Sequence, residues 1–270
     1  MTSRSDAVDR CLLVGMEGYT LPSALRGWLA DGLGGIVLFA HNIADGAQLG
    51  ELVSDIRGAG TDVLVALDEE GGDVTRLHAT DGSPNPGNLA LGAVDDVELT
   101  REVGAAIGAE LAALGVNLNL APVADVNTNP DNPIIGTRSF GSDPDRVAAH
   151  VVAYLEGLQS AGVTGCVKHF PGHGATAVDS HLALPTYSGN LEPHLVPFRA
   201  AIAAGVRAIL TAHVRFPALD DAPATLSRAV LTGLLREKLG YTGAVVTDSM
   251  TMNAIAEGVG VAVGAELALA

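Results

Sequence analysis

The sequence predicts an α/β fold: a (β/α)8 barrel of the TIM type that reads as lacking its final strand. Three observations lead there. Short apolar runs alternate with longer segments of helical period, the pattern of βα units that feed a parallel sheet. The 270 residues match the ~250 of a typical barrel of this kind, so residues 1–270 are read as a single domain. Hydrophobic residues make up 48% of the chain and charged residues 17%, which supports one large core and argues against disorder.

Strand one is read at Cys11–Met16, the first apolar run, which leads directly into a Gly-rich loop. Strands two to seven follow at Gly35–Phe39, Val63–Leu67, Val116–Leu120, Thr164–Val167, Ala208–Leu210 and Ala244–Val246. Helices are expected between them at Ser23–Asp31, Gln48–Gly58, Val97–Leu114, Pro144–Gln159, Leu195–Ala204 and Arg228–Leu239. In the third of these, Val103, Ile107, Leu111 and Leu114 recur at spacings of three and four and form one apolar stripe. Gly115 then stands where a left-handed residue would end that helix. Pro144 fits a first helical position, with Ser142 or Asp143 as the cap before it. The last segment, Val259–Ala270, reads as the helix after strand seven, and no eighth strand follows it. The first and seventh strands would then present unpaired edges.

A net charge of −16, with only 15 Lys and Arg, excludes the basic stripe that a nucleic-acid partner requires. No run of ~18 apolar residues marks a membrane span. The first residues, MTSRSDAVDR, lack the apolar stretch of a signal peptide. Cys11 and Cys166 both fall in apolar, strand-like segments and are expected as buried free thiols, which suits a reducing cytoplasm. A cytoplasmic monomer is the expectation, with no nucleic-acid or membrane partner.

In a parallel barrel, side chains at the C-terminal strand ends converge on one mouth. The polar residues just past each apolar run are therefore the candidates for chemistry. Asp248 follows Ala244–Val246, so rigid backbone would present its carboxylate there. A carboxylate so placed can attack an anomeric carbon and form a glycosyl ester; the competing reading is an N-cap for the next helix. Asp179-Ser180-His181 lies in the loop after strand five. Residues i and i+2 of an extended segment point the same way, so Asp179 can orient the His181 imidazole for proton transfer near neutral pH. The competing reading is an Asx-type turn with a solvent-exposed His. Lys168, Arg138 and Arg76, with Asp68, are placed to grip sugar hydroxyls by charge-assisted hydrogen bonds. His169, His173, Asp179, His181 and His213 could in principle gather a divalent ion. Pro171 and Gly172 break any helical face between His169 and His173, so no metal and no cofactor is expected.

The run KHFPGHG at 168–174, followed by DSH at 179–181, resembles the β-N-acetylhexosaminidase branch of glycoside hydrolase family 3. The resemblance extends to LDEEGGDVTRL at 67–77, GVNLNLAPVADV at 115–126, GTRSF at 136–140, TAHV at 211–214 and VVTDSM at 245–250. It implies a barrel fold, Asp248 as nucleophile, and His181 as general acid/base with Asp179 as its partner. It further implies that Asp68, Arg76, Arg138, Lys168 and His169 hold a terminal N-acetylglucosamine. Asp73 stands where members of the family commonly carry Arg.

The implied reaction is retaining β-N-acetylhexosaminidase chemistry by double displacement. The implied partner is a small carbohydrate: an N-acetylglucosamine-terminated saccharide, or a muropeptide released in peptidoglycan turnover. Trp28 is the sole Trp, so no platform for a long sugar chain is evident and exo action on a terminal residue follows. Two alternatives stay open: a phosphorylase or transglycosylase using the same site, and an inactive sugar-binding chain.

Overall fold

A computed structural model describes residues 4–270, and in it the apolar runs become parallel strands that pair in chain order. After a short helix α1 (Arg4–Asp9) come β1 (Leu13–Val14), α2 (Ser23–Ala30), β2 (Gly35–Val37), α3 (Gly46–Gly58) and β3 (Leu64–Leu67). Next are α4 (Asn88–Val94), α5 (Val97–Ala113), β4 (Leu118–Asn119), α6 (Pro144–Ser160), β5 (Thr164–Phe170), α7 (Glu192–Ala203) and β6 (Ala208–Thr211). A hairpin of β7 (Arg215–Phe216) and β8 (Asp220–Pro223), a π-wound helix (Ala229–Lys238), β9 (Ala244–Thr247), α8 (Asn253–Ala256) and α9 (Val261–Leu269) complete the described chain. The sheet order is β1-β2-β3-β4-β5-β6-β9, and each neighbouring pair is parallel. Among the described residues β1 and β9 do not pair with each other, so the barrel-type sheet stays open, as the count of seven strands predicts.

Side chains alternate across each strand, and the core divides accordingly. Ala66, Leu118, Leu120, Cys166, Ala208 and Leu210 point to one side and form a compact inner cluster. Val65, Leu67, Val167 and Ile209 point to the other and pack with Leu49, Ile56, Ile107, Leu111, Leu155 and Leu158 of the surrounding helices. The stripe foreseen on α5 is buried at Val103, Ile107 and Leu111, and Gly115 has a φ of 80° beyond the helix end. Asp143 caps α6, accepting the N–H groups of Asp145 and Arg146.

Some bounds differ from those expected. Strand one shrinks to Leu13–Val14 because Cys11 belongs to the turn that closes α1: its N–H bonds to Val8 O and its thiol to Ala7 O. Cys11 is therefore exposed and only Cys166 is buried, which corrects the expectation of two buried thiols. Strand five runs on to Phe170, carrying Lys168 and His169 on sheet backbone. The helix α4 and the β7–β8 hairpin were not foreseen.

Helices α5 and α6 meet through glycine. A Cβ on Gly157 would collide with the carbonyl oxygen of Arg101, and one on Gly104 with that of Tyr154. From α6, beside this contact, the Tyr154 hydroxyl donates to Glu69 O at 3.0 Å. Gly157→Ala tests this packing. Alanine favours a helix interior by ~1 kcal/mol over glycine, whereas forcing a methyl group into a filled contact costs ~1–3 kcal/mol. The obstruction is backbone, which no rotamer change removes, so the cost prevails. Urea denaturation should show a net loss of about 1–2 kcal/mol, and unchanged stability would show that the helices separate freely.

Candidate active site

The segment after β3 sets the site. Asp68 and Glu70 lie on one side of the extended backbone and Glu69 on the other. The Glu69 peptide is clamped: the Asn119 amide side chain accepts its N–H at 3.0 Å and donates to its carbonyl at 2.8 Å, beside the Tyr154 bond. The Glu69 carboxylate is buried and accepts the Thr75 hydroxyl and the Arg76 and Leu77 N–H groups. Burial nonetheless pushes this carboxyl above its ordinary value. Its bonds fold the chain back through Gly71 and Gly72, at φ of 83° and 59°, where a Cβ on Gly72 would strike the backbone of Gly87. This turn returns Arg76 to Asp68.

Four of the predicted sugar-gripping residues come together here as an ion cluster. Lys168 Nζ lies 2.6 Å from Asp68 Oδ1 and 2.7 Å from Glu70 Oε1. Arg138 forks onto Glu70 through Nε at 3.0 Å and Nη2 at 2.8 Å, and Arg76 Nη2 donates to Asp68 Oδ2 at 3.0 Å. Lys168 is 2% exposed. Burial alone would raise both carboxyls, but Lys168 with Arg76 holds Asp68 below its ordinary range, and Lys168 with Arg138 holds Glu70 far below it. Glu70 was missed as a site residue; its i+2 spacing from Asp68 was the available signal. Asp73, found where the family commonly has Arg, accepts the Thr137 hydroxyl at 3.0 Å and so ties the β3 loop to the turn that carries Arg138.

His169 is held by a second buried acid. Asp125 Oδ2 lies 2.7 Å from His169 Nδ1, and Oδ1 accepts the His173 main-chain N–H at 2.6 Å. Burial works against the Asp125 anion, but His169 outweighs it and keeps the carboxyl low. Asp125 was also missed. It is 44 residues from His169 in the chain, and only the fold joins them.

The two predicted catalytic groups sit on adjoining loops. Asp248 follows β9, half-buried, with Oδ1 accepting the Ser249 N–H at 2.7 Å. It does not cap α8, whose N-cap is Met252, so the competing reading of Asp248 fails. Asp179 Oδ1 meets His181 Nδ1 at 2.7 Å and the His181 N–H at 2.8 Å. Both sequence readings of this segment are therefore present at once: an Asx turn, and a carboxylate-oriented imidazole whose side chain is 56% exposed. The Ala254 N–H donates to Ser180 O at 3.3 Å, joining the loop after β9 to the loop after β5. Buried His213 lies against the loop after β9. Its Nε2 donates to Ser249 O at 2.9 Å, and burial lowers its affinity for a proton while the charges of Asp248 and His181 act on it with opposite sign. Among the described residues no three His, Cys, Asp or Glu side chains gather to hold a metal ion, and no helix is long and apolar enough to cross a membrane.

Comparison with known proteins gives the chain's family and relatives. The model of the glycosyl hydrolase family 3 N-terminal domain matches residues 19–270. Beta-hexosaminidase A of Pseudoalteromonas piscicida is 38% identical over 266 residues, covering 88% of this chain and 44% of that protein. A family 3 β-N-acetylglucosaminidase from Paenibacillus sp. str. FPU-7 superposes with a TM-score of 0.95 at 44% identity, covering 100% of this chain and 53% of that one. NagZ from Neisseria gonorrhoeae, solved in complex with N-trifluoroacetyl-D-glucosamine, gives a TM-score of 0.87 at 32% identity, with 96% and 78% covered. The chain spans about half the length of the first two.

The charge pattern predicts acid sensitivity in two stages. Folded His173, His194 and His213 resist protonation because they are buried. Below the ordinary imidazole value of 6.5 the unfolded chain takes up protons that the folded chain does not, and stability falls. Asp68, Glu70 and Asp125 have folded carboxyls below their ordinary 3.8 to 4.5, so a steeper loss begins below that range. Glu69, shifted upward, opposes it with one group against three. The urea midpoint should fall modestly from about pH 7 to about pH 5.5 and sharply below about pH 4.5. Glu70→Gln should flatten the lower stage alone, and an unchanged slope in that variant would count against the cluster.

Proposed function

The chain belongs to glycosyl hydrolase family 3, and we propose that it is a retaining, exo-acting β-N-acetylhexosaminidase with Asp248 as nucleophile and His181 as general acid/base. The observation that carries this reading is the contact between the two loops. One presents a carboxylate with a single oxygen engaged, and the other an imidazole whose Nδ1 is engaged by Asp179. Asp248 Oδ2 is left to attack the anomeric carbon, and His181 Nε2 is left to face the glycosidic oxygen.

In the first step His181, as imidazolium, donates its Nε2 proton to the departing oxygen while Asp248 forms a glycosyl ester. Asp179 holds the ring orientation and offsets its charge. In the second step neutral Nε2 takes a proton from water, whose oxygen displaces Asp248 and restores the sugar's original configuration. Asp68, Arg76, Arg138, Lys168 and His169 hold the terminal sugar. The exposed edges of Asp68 and Arg138 meet its hydroxyls, and buried Lys168 fixes those two through Asp68 and Glu70.

The substrate in this proposal is an N-acetylglucosamine-terminated saccharide, with muropeptides of peptidoglycan turnover as the class. N-trifluoroacetyl-D-glucosamine in the gonococcal relative supports the sugar. Exo action is supported by the position of Trp28, the sole Trp, on the helix α2 that flanks the sheet. A cytoplasmic location and a monomeric state belong to the same proposal; two unpaired thiols, one of them exposed, support the location.

Release of p-nitrophenol from its N-acetyl-β-glucosaminide tests the assignment. Asp248→Ala and Asp248→Asn should abolish turnover. Asp179→Ala should leave a slower enzyme, since general acid/base catalysis is worth ~10²–10⁴ in rate and only part of it depends on orientation. Wild-type turnover by Asp248→Ala would overturn the proposal.

A further inference from the structure

Ser180 is the one buried residue of the Asp179-Ser180-His181 segment; Asp179 is half-buried and His181 is exposed. The Ser180 hydroxyl points inward, 3.0 Å from Nε2 of His173. His173 is itself 2% exposed and both of its ring nitrogens are engaged. Nδ1 lies 2.6 Å from Thr176 Oγ1, and that hydroxyl donates its own hydrogen to the His173 carbonyl at 3.0 Å. Thr176 Oγ1 therefore receives the Nδ1 hydrogen, which leaves the Nε2 lone pair to accept the Ser180 hydroxyl. Burial lowers the His173 pKa to about 4, so the ring is neutral at pH 7 and the tautomer is fixed by its surroundings.

The ring cannot easily swing away. The His173 N–H is held by Asp125 and its carbonyl also accepts the Asn132 amide at 2.8 Å. Asp125 is the acid that orients His169. One buried carboxylate thus fixes a residue proposed to grip the sugar and, through His173 and Ser180, the loop that presents the proton donor.

We propose that His173 and Ser180 are positioning residues for acid catalysis: neutral His173 accepts the Ser180 hydroxyl and thereby holds the exposed His181–Asp179 pair in register with the sugar bound at His169. The inference rests on His181 being the acid/base. Its content goes further, because it assigns a role to two side chains that touch neither the sugar nor the transferred proton. With only the Ala254 N–H bond to Ser180 O and one turn of its own hydrogen bonds, this exposed loop would otherwise sample more orientations. A general acid misplaced by an ångström or so loses much of its effect.

The test compares leaving groups. An alkyl N-acetyl-β-glucosaminide needs a proton to depart, whereas a dinitrophenyl glycoside departs without one, and kcat/KM reports the step in which departure occurs. Ser180→Ala should lower kcat/KM for the alkyl glycoside by about tenfold, out of the ~10²–10⁴ that acid catalysis supplies, and leave the dinitrophenyl value within about twofold. His173→Gln retains an acceptor oxygen and should keep most of the activity that His173→Phe loses on the alkyl substrate. Melting temperatures monitor folding, and should His173→Phe not fold, Ser180→Ala and His173→Gln decide. Equal losses on both substrates in Ser180→Ala would overturn the inference by showing a general structural role. So would an unaffected Ser180→Ala alongside a His181→Ala variant impaired on the alkyl glycoside only, and in that case the function proposed above stands. A His181→Ala variant without leaving-group dependence, or a parent chain without turnover, would remove that function and this inference together.

Discussion

Lys168 brings a full positive charge to a place that water scarcely reaches, and the strand end opposite it supplies two carboxylates. Withdrawing an ammonium from water costs several kcal/mol after relaxation, and the cost is offset only by close, well-directed partners. Asp68 and Glu70 are such partners because they are two residues apart on extended backbone. Lys168, Arg76 and Arg138 against two carboxylates leave one unit of positive charge in a chain that is otherwise strongly acidic. Removing either acid would strip the buried ammonium of one of its two carboxylate partners and leave its desolvation less fully offset. The cluster is therefore a constraint on the fold as well as part of the site.

That constraint explains features far from the mouth. Asp68 and Glu70 face Lys168 only while the Glu69 peptide keeps its orientation, and that peptide is held by Asn119 from β4 and Tyr154 from α6. Tyr154 stands on the helix that meets α5 through glycine, backbone against backbone. The chain of dependence runs from one hydroxyl on an outer helix to the placement of two carboxylates at a strand end.

Much of this was readable from the sequence because barrel strands announce themselves as apolar runs and their C-terminal ends share one face. Asp68 and Asp248 follow strands directly, and Lys168 and His169 stand at the C-terminal end of β5, within the strand rather than beyond it. Glu70 and Asp125 were passed over for different reasons. Glu70 looks like one acid in an acidic run until Arg138, 68 residues away, is known to meet it. Asp125 stands several residues beyond its strand and is joined to His169 only by the fold. The hairpin of β7 and β8 was invisible because its strands are too short to show a period. Cys11 was misread because an apolar run began inside the turn that closes a helix, and hydropathy does not distinguish a turn from a strand start.

The contrast between the two halves of the site bears on why an imidazole, rather than a carboxyl, would serve as acid/base. A carboxylic acid donates a proton at neutral pH only if its surroundings raise its affinity by two units or more, and burial is the usual means. The loop at 179–181 offers no such burial, since the His181 side chain is 56% exposed. A carboxyl there would stay near its ordinary ~4 and be ionised at pH 7. An imidazole in water titrates near ~6.5 and can give and take a proton at neutral pH without help from burial. If the exposed loop is the source of the proton donor, as proposed, residue type follows from solvent access. On the proposed reading, the buried half of the site, built from paired carboxylates and cations, is then free to be tuned for holding a sugar alone.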